Sequence, residues 1–151
     1  MRQGTHGLGR MPPMERLGVH VMIIQPYANV PAYRTRDGSE IRELMHPSVH
    51  GNRAQSLAEA TVPAGTRTLL HRHHRSEELY HVTAGRGRIT LGAECFDVGP
   101  GDTVLIPPGT AHCIEAIGEE PLRLLCCCAP AYSHGDTELL EQGAAAATGT
   151  R

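Results

Sequence analysis

The sequence predicts an all-β fold, an antiparallel sandwich or closed barrel. Three observations carry this prediction. Eight short runs that are apolar, or alternate between apolar and polar residues, follow one another from Gln55 onward. Turn-forming residues separate them, and no stretch between them keeps a helical period.

Taken in order, residues 1 to 20 are rich in Gly, Pro and Arg with little periodicity, and such a segment buries too little surface to offset its ordering entropy. Residues 1–21 are therefore expected to form a disordered N-terminal extension, residues 22–141 a single domain, and residues 142–151 a flexible tail. In DGSEIRELMHPSVH, Asp37-Gly38 marks a turn, and the short apolar segment before Pro47 reads as a strand or one helical turn. The runs SLAEATV, TLLHRH, ELYHVT, GRITLG, CFDV, TVLIP, HCIEAI and LRLLCCC then read as strands. Between them stand Pro63-Ala64-Gly65, Gly85-Arg86-Gly87, Gly92, Gly99-Pro100-Gly101, Pro107-Pro108-Gly109 and Gly118-Glu119-Glu120-Pro121. The glycines of Gly-Arg-Gly and Gly-Pro-Gly are expected to supply the positive φ of tight turns. One helical turn is expected around Thr137 to Glu141, ahead of the tail.

The chain has 151 residues, enough to bury a core without disulfides. Its 14 basic and 16 acidic residues leave a formal charge of −2, which provides no general attraction to nucleic acid or to an anionic membrane. No apolar run approaches the roughly 18 residues of a membrane span, and the first residues lack the pattern of a secretory signal. The expected location is the cytoplasm, and small molecules and proteins remain as partners. Five cysteines, three of them consecutive at Cys126, Cys127 and Cys128, make a poor disulfide framework, so reduced thiols are expected. On a strand Cys126 and Cys128 share one side, and core packing is favoured over ligation or catalysis. Cys113 should face away from the interior and pack there.

Ten histidines are unusual in a chain of this size, and five fall between positions 71 and 112. His71 and His73 are two apart, so on a strand they point to one face and can meet one ion. Glu78 opens the next strand and shares a face with Tyr80 and Val82. His112 heads another strand, with Ile114 and Ala116 on its side. Three imidazoles and a carboxylate suit one divalent transition-metal ion, Fe, Mn, Ni, Cu, Co or Zn, and the residues do not choose among them. Taken singly, a His-x-His pattern reads better as solvated surface.

The two clusters together resemble the motifs of the cupin superfamily. Its first motif, G-x5-H-x-H-x3,4-E-x6-G, is met at every spacing by Gly65, His71, His73, Glu78 and Gly85. Its second, G-x5-P-x-G-x2-H-x3-N, is met by Gly101, Pro107, Gly109 and His112, with Ala116 where asparagine is expected. The resemblance covers residues 65–116 and implies a cupin β-barrel (a double-stranded β-helix, or jelly roll) with His71, His73, Glu78 and His112 as metal ligands. The closing run PLRLLCCCAPAYSHGDTELL resembles small bacterial cupins related to mannose-6-phosphate isomerase. The departure at Ala116 bears on a turn or a supporting contact more than on the ligands. Glu77 is a rival for Glu78, but only Glu78 leaves six residues before Gly85. His74 and His81 fall on the outward face.

Arg67, Leu69 and Tyr80 are the candidates for the pocket wall. An inward Arg67 suggests an anionic ligand, while snorkelling to solvent is an equal reading. Tyr80 is the candidate catalytic residue, able to hydrogen-bond a ligand, with a core aromatic whose hydroxyl sits at the rim as an equal reading, and either Tyr80 or Glu78 could handle protons. A barrel of this family carries many reactions. The reading placed first is a metal-dependent enzyme acting on a small polar metabolite, with oxygenase chemistry ahead of isomerase, decarboxylase or lyase chemistry. The alternative is a non-catalytic metal- or ligand-binding module, either a sensor or an accessory. A homodimer is expected because an open sheet edge gains from being covered.

Overall fold

The computed structural model describes residues 23–141; Met22 and the segments expected at residues 1–21 and 142–151 lie outside this range. Among the described residues are eleven strands: β1 (Ala32–Arg34), β2 (Glu40–Met45), β3 (Ser56–Val62), β4 (His71–His73), β5 (Glu77–Ala84), β6 (Gly87–Leu91), β7 (Glu94–Val98), β8 (Thr103–Ile106), β9 (His112–Ala116), β10 (Leu122–Ala129) and β11 (Thr137–Leu139). A single helical turn, α1 (Pro47–His50), follows β2, so the segment before and after Pro47 contains both a strand and a turn of helix. The strands form two antiparallel sheets. One has six strands in the order β1-β2-β3-β10-β5-β8, the other five in the order β11-β4-β9-β6-β7.

The alternation written in β5 explains how the sheets face each other. Glu78, Tyr80 and Val82 are buried while Glu77, Leu79 and Thr83 are exposed. Val62, Val82, Ile89, Ile106, Ile114, Leu122 and Leu124 are each at most 1% exposed and close the core between the sheets. Each such side chain contributes about 1.5–3 kcal/mol of burial. The same inner surface carries His71, His73, Glu78 and His112, all buried, so one end of this core is polar.

Two glycines in the first turn differ in what they supply. Gly85 has φ +78°, and a Cβ there would sit 2.5 Å from the Pro121 carbonyl oxygen. Gly87 lacks a positive φ; its Cβ would lie 2.9 Å from Leu122 Cδ2, so packing rather than turn geometry requires it. The expectation of a positive φ is also not met at Gly99, which makes no close approach either. Ala116 is fully buried. Its N–H donates to Thr66 O at 2.9 Å and its carbonyl accepts from Gly65 N at 3.0 Å, so the backbone itself holds the turn where the motif has asparagine.

Two expectations are corrected. The run TLLHRH is a ladder strand only at His71–His73. Before it, Leu69 N–H donates to Asp37 O at 2.8 Å and Leu70 N–H to the Glu141 carboxylate at 2.6 Å. With consecutive donors leaving the sheet, the alternation slips, and Thr68 is buried where Arg67 was expected inside. The second concerns Thr137 to Glu141, which is not a helical turn. A short 3-10 turn at His134–Asp136 precedes β11, whose Thr137, Glu138 and Leu139 pair with His73, Arg72 and His71.

Candidate metal centre

The site begins with backbone register. His71 on β4 lies directly opposite His112 on β9, and Glu78 on β5 lies opposite Cys128 on β10 and Ile106 on β8. The histidines therefore come from one sheet and the glutamate from the other, meeting across the barrel. One ligating atom from each of His71, His73, Glu78 and His112 lies within 4.8 Å of all the others. The ring centroids of His71 and His112 are 4.2 Å apart, and that of His73 is 5.3 and 5.4 Å from them. Glu77 is exposed, and His74 and His81 lie on the outward side, as the alternation requires.

Hydrogen bonds fix which nitrogen of each ring faces inward. His71 Nδ1 is 2.7 Å from Leu69 O, and His112 Nδ1 is 2.9 Å from Thr110 O. A carbonyl only accepts, so both Nδ1 atoms carry hydrogen. His73 Nδ1 is 3.0 Å from Thr137 Oγ1, whose own proton is donated to Ser133 O at 2.9 Å, so His73 too donates from Nδ1. In the neutral rings all three Nε2 lone pairs then point into the cluster.

Opposite them is a carboxylate. Glu78 Oε2 lies 3.0 Å from His73 Nε2 and 3.3 Å from His112 Nε2, the latter without hydrogen-bonding geometry, leaving His112 Nε2 fully buried and unpartnered. Burial alone would raise the Glu78 carboxyl, but the His112 and His73 imidazoles outweigh it and hold it at about 2. Burial, and then the charge of His112, lower the pKa of His71, which favours its neutral ring. Converging acceptors around an ionised buried carboxylate call for a cation, a proton in the metal-free protein or a metal ion in its place. The donor set, three imidazole nitrogens and one carboxylate oxygen, fits a divalent transition metal.

A cavity of about 90 Å³ opens beside the cluster, room for several waters or a small ligand. Its walls include Ile41, Ala60, Val62, Ile114 and Leu124 as well as Tyr80, Tyr132, Asp37, Cys126 and Cys128. Tyr80 is 5% exposed, with its ring 5.9 Å from that of His112, and burial pushes its phenol well above the usual range. Two expected wall residues are absent. Arg67 points out and makes a two-pronged ion pair with Glu141 at 2.8 and 3.0 Å, and Leu69 is displaced by the same irregularity.

Sequence reasoning did not identify Thr137 or Cys128 as partners of the site. Thr137 lies 64 residues from His73, and nothing in its surroundings marks it. Cys128 Sγ donates to Glu78 Oε1 at 3.4 Å. Its shared face with Cys126 was legible, but not its contact. Burial, followed by the neighbouring Glu78 charge, raises the Cys128 thiol far above its ordinary value, so it remains a donor. Cys113 is buried on the outward side, where Arg67 reaches its sulfur at 3.7 Å, consistent with packing.

Comparison with known proteins agrees with this architecture. The family model described as the Cupin domain matches residues 58–128. A Methanocaldococcus jannaschii protein, MJ1618, is 56% identical over 115 residues, covering 76% of this chain and 92% of that protein. Among solved structures, a predicted oxalate decarboxylase from Thermotoga maritima has a TM-score of 0.64 at 21% identity, covering 72% of this chain and 99% of that one. The Streptomyces nucleoside dehydratase Pac13 has a TM-score of 0.67 at 16% identity, with coverage of 81% and 93%. From sequence match and barrel alike, the chain belongs to the cupin family.

Proposed function

We propose that His71, His73, Glu78 and His112 bind one divalent transition-metal ion, and that the protein is a metal-dependent enzyme acting on a small metabolite. The observation that carries this reading is the buried, unpartnered Nε2 of His112 beside the Glu78 carboxylate. Three Nε2 atoms and Glu78 Oε2 are the ligating atoms. When bound, the ion supplies Lewis acidity or, for a redox-active metal, electron transfer. The chain contributes the rest. Its apolar walls exclude water and accept the body of a metabolite whose polar head reaches the ligand cluster. Tyr80, kept protonated by burial, can hold or donate one proton at its hydroxyl.

Oxygenase chemistry is placed ahead of isomerisation, decarboxylation or elimination because the four-ligand set is complete, whereas the titratable wall residues Asp37, Glu43 and His134 form no acid-base pair with one another. Asp37 lines the cavity, but its Oδ1 already accepts from Ser39 N–H, Ser39 Oγ and Thr35 Oγ1. The lack of an obvious acid-base pair favours a second reading, a module that binds a small ligand at the metal without turnover. A homodimer through the outer face of the six-stranded sheet, where Leu79 and Leu105 pair side by side and are 39% and 51% exposed, is part of the proposal. A monomeric mass at micromolar concentration would remove it. The test of function is a screen of small carboxylates and hydroxy acids with metal-loaded protein, followed by product mass spectrometry and dioxygen uptake. Turnover lost in His112→Ala supports an enzyme, and coupled dioxygen consumption supports the oxygenase. Binding with no product, in air and without it, favours the module.

A further inference from the structure

Glu78 has two carboxylate oxygens with different surroundings. Oε2 faces His73 and His112 at 3.0 and 3.3 Å, while Oε1 turns to the thiol of Cys128 at 3.4 Å. Cys128 is 3% exposed and is fixed opposite Glu78 by the β5/β10 register, so the thiol is brought to this oxygen by the sheet itself. We infer that Cys128 is a positioning residue that holds Glu78 to one-oxygen ligation and so keeps a coordination position free for an incoming ligand.

This inference rests on the metal-binding reading above. Its physical basis is that a buried carboxylate oxygen without a donor bears an uncompensated charge. With the thiol removed, rotation of the carboxylate so that both oxygens meet the ion relieves that cost and fills the position otherwise open to ligand. Hydrogen bonds to ligating groups typically govern metal affinity by about 10- to 100-fold. Cys127, one residue earlier on the opposite face, reaches only Gln55 at 3.9 Å and serves as the control.

The experiment uses the full chain reconstituted with Co(II), whose visible spectrum reports coordination number, with azide as the probe of the open position. Because Glu78 is no longer pre-oriented before the ion arrives, Cys128→Ala and Cys128→Val are expected to bind Co(II) about 10-fold more weakly, and with both carboxylate oxygens on the ion to lose the azide-induced spectral change. Cys128→Ser, which restores a donor, should recover both, and Cys127→Ser should match the parent protein. Wild-type affinity and a full azide response in Cys128→Ala or Cys128→Val overturn the inference, as does a Cys128→Ser protein that melts normally yet behaves like the alanine variant. Should one donor-less variant fail to fold, the other carries the comparison. Failure of the parent protein itself to take up Co(II) overturns the metal reading and this inference together, an outcome distinct from the others.

Discussion

His71 and His112 are oriented by carbonyl groups two residues behind them, at Leu69 and Thr110, whereas His73 and Glu78 depend on Thr137 and Cys128, 64 and 50 residues away. The first pair is also joined by direct register between β4 and β9, and its geometry is a local property of those strands. The second pair acquires its geometry only when the chain returns in β10 and β11. The half of the site that looks complete in the motifs is therefore supported by segments outside them. The C-terminal strand acts as a clasp on β4: Glu141 bonds Arg67 and Leu70 N, Glu138 bonds Arg72, and Asp136 accepts from the amides of Arg75 and Ser76.

The largest effect should come from the local half. His71→Ala or His112→Ala is expected to weaken metal binding by more than about 100-fold in calorimetric titration, since a ligand is lost and not merely reoriented. The remote half should yield a smaller loss. Thr137→Val removes the acceptor of His73 Nδ1 and is expected to weaken binding about 10-fold, with the folded barrel intact by circular dichroism. A Thr137→Val protein as impaired as His112→Ala would erase the distinction between the halves. One with parent affinity would mean that β4 alone orients His73.

Smaller still is the clasp. Glu141→Ala should destabilise the protein by no more than about 1 kcal/mol in chemical denaturation, because the Arg67–Glu141 pair is largely solvated. Its pH dependence has a definite sign. Arg67 foremost, with the Leu70 amide, lowers the Glu141 carboxyl below its ordinary 4.5. For Asp136, slight burial raises the value but the Ser76 and Arg75 hydrogen bonds outweigh it, leaving it below 3.8. Depressed folded-state values stabilise the clasp fully above those ordinary values, and the contribution is lost as pH falls through the lowered ones. Amide protection in β11, taken relative to the intrinsic exchange rate at each pH, should fall selectively below about pH 4, and Glu141→Ala should narrow that change.

The sequence made the barrel legible because short apolar or alternating runs stand between turn formers, most clearly in β5, where buried and exposed residues alternate from Glu77 to Tyr80. Of the four buried groups, two-residue spacing alone places only His71 and His73 on one face; joining them to Glu78 and His112, and choosing Glu78 over Glu77 by its spacing to Gly85, came from the resemblance to the cupin motifs. What escaped was set by bonds that leave the sheet. Arg67 and Leu69 were misplaced because Asp37 and Glu141, remote in sequence, capture consecutive amides and break the alternation. Thr137 to Glu141 resembled a helix end, since nothing local reveals that β4 offers an unpaired edge. The membrane question reaches only so far: among the described residues no helix is long and apolar enough to cross a bilayer.

The central claim is that His71, His73, Glu78 and His112 hold one metal ion, and elemental mass spectrometry of protein purified without added metal or chelator tests it most directly. The expected result is one first-row transition-metal ion per chain, absent from a His71→Ala and His112→Ala double variant that still folds. No metal as purified, together with no uptake of any first-row ion on reconstitution, would contradict the claim.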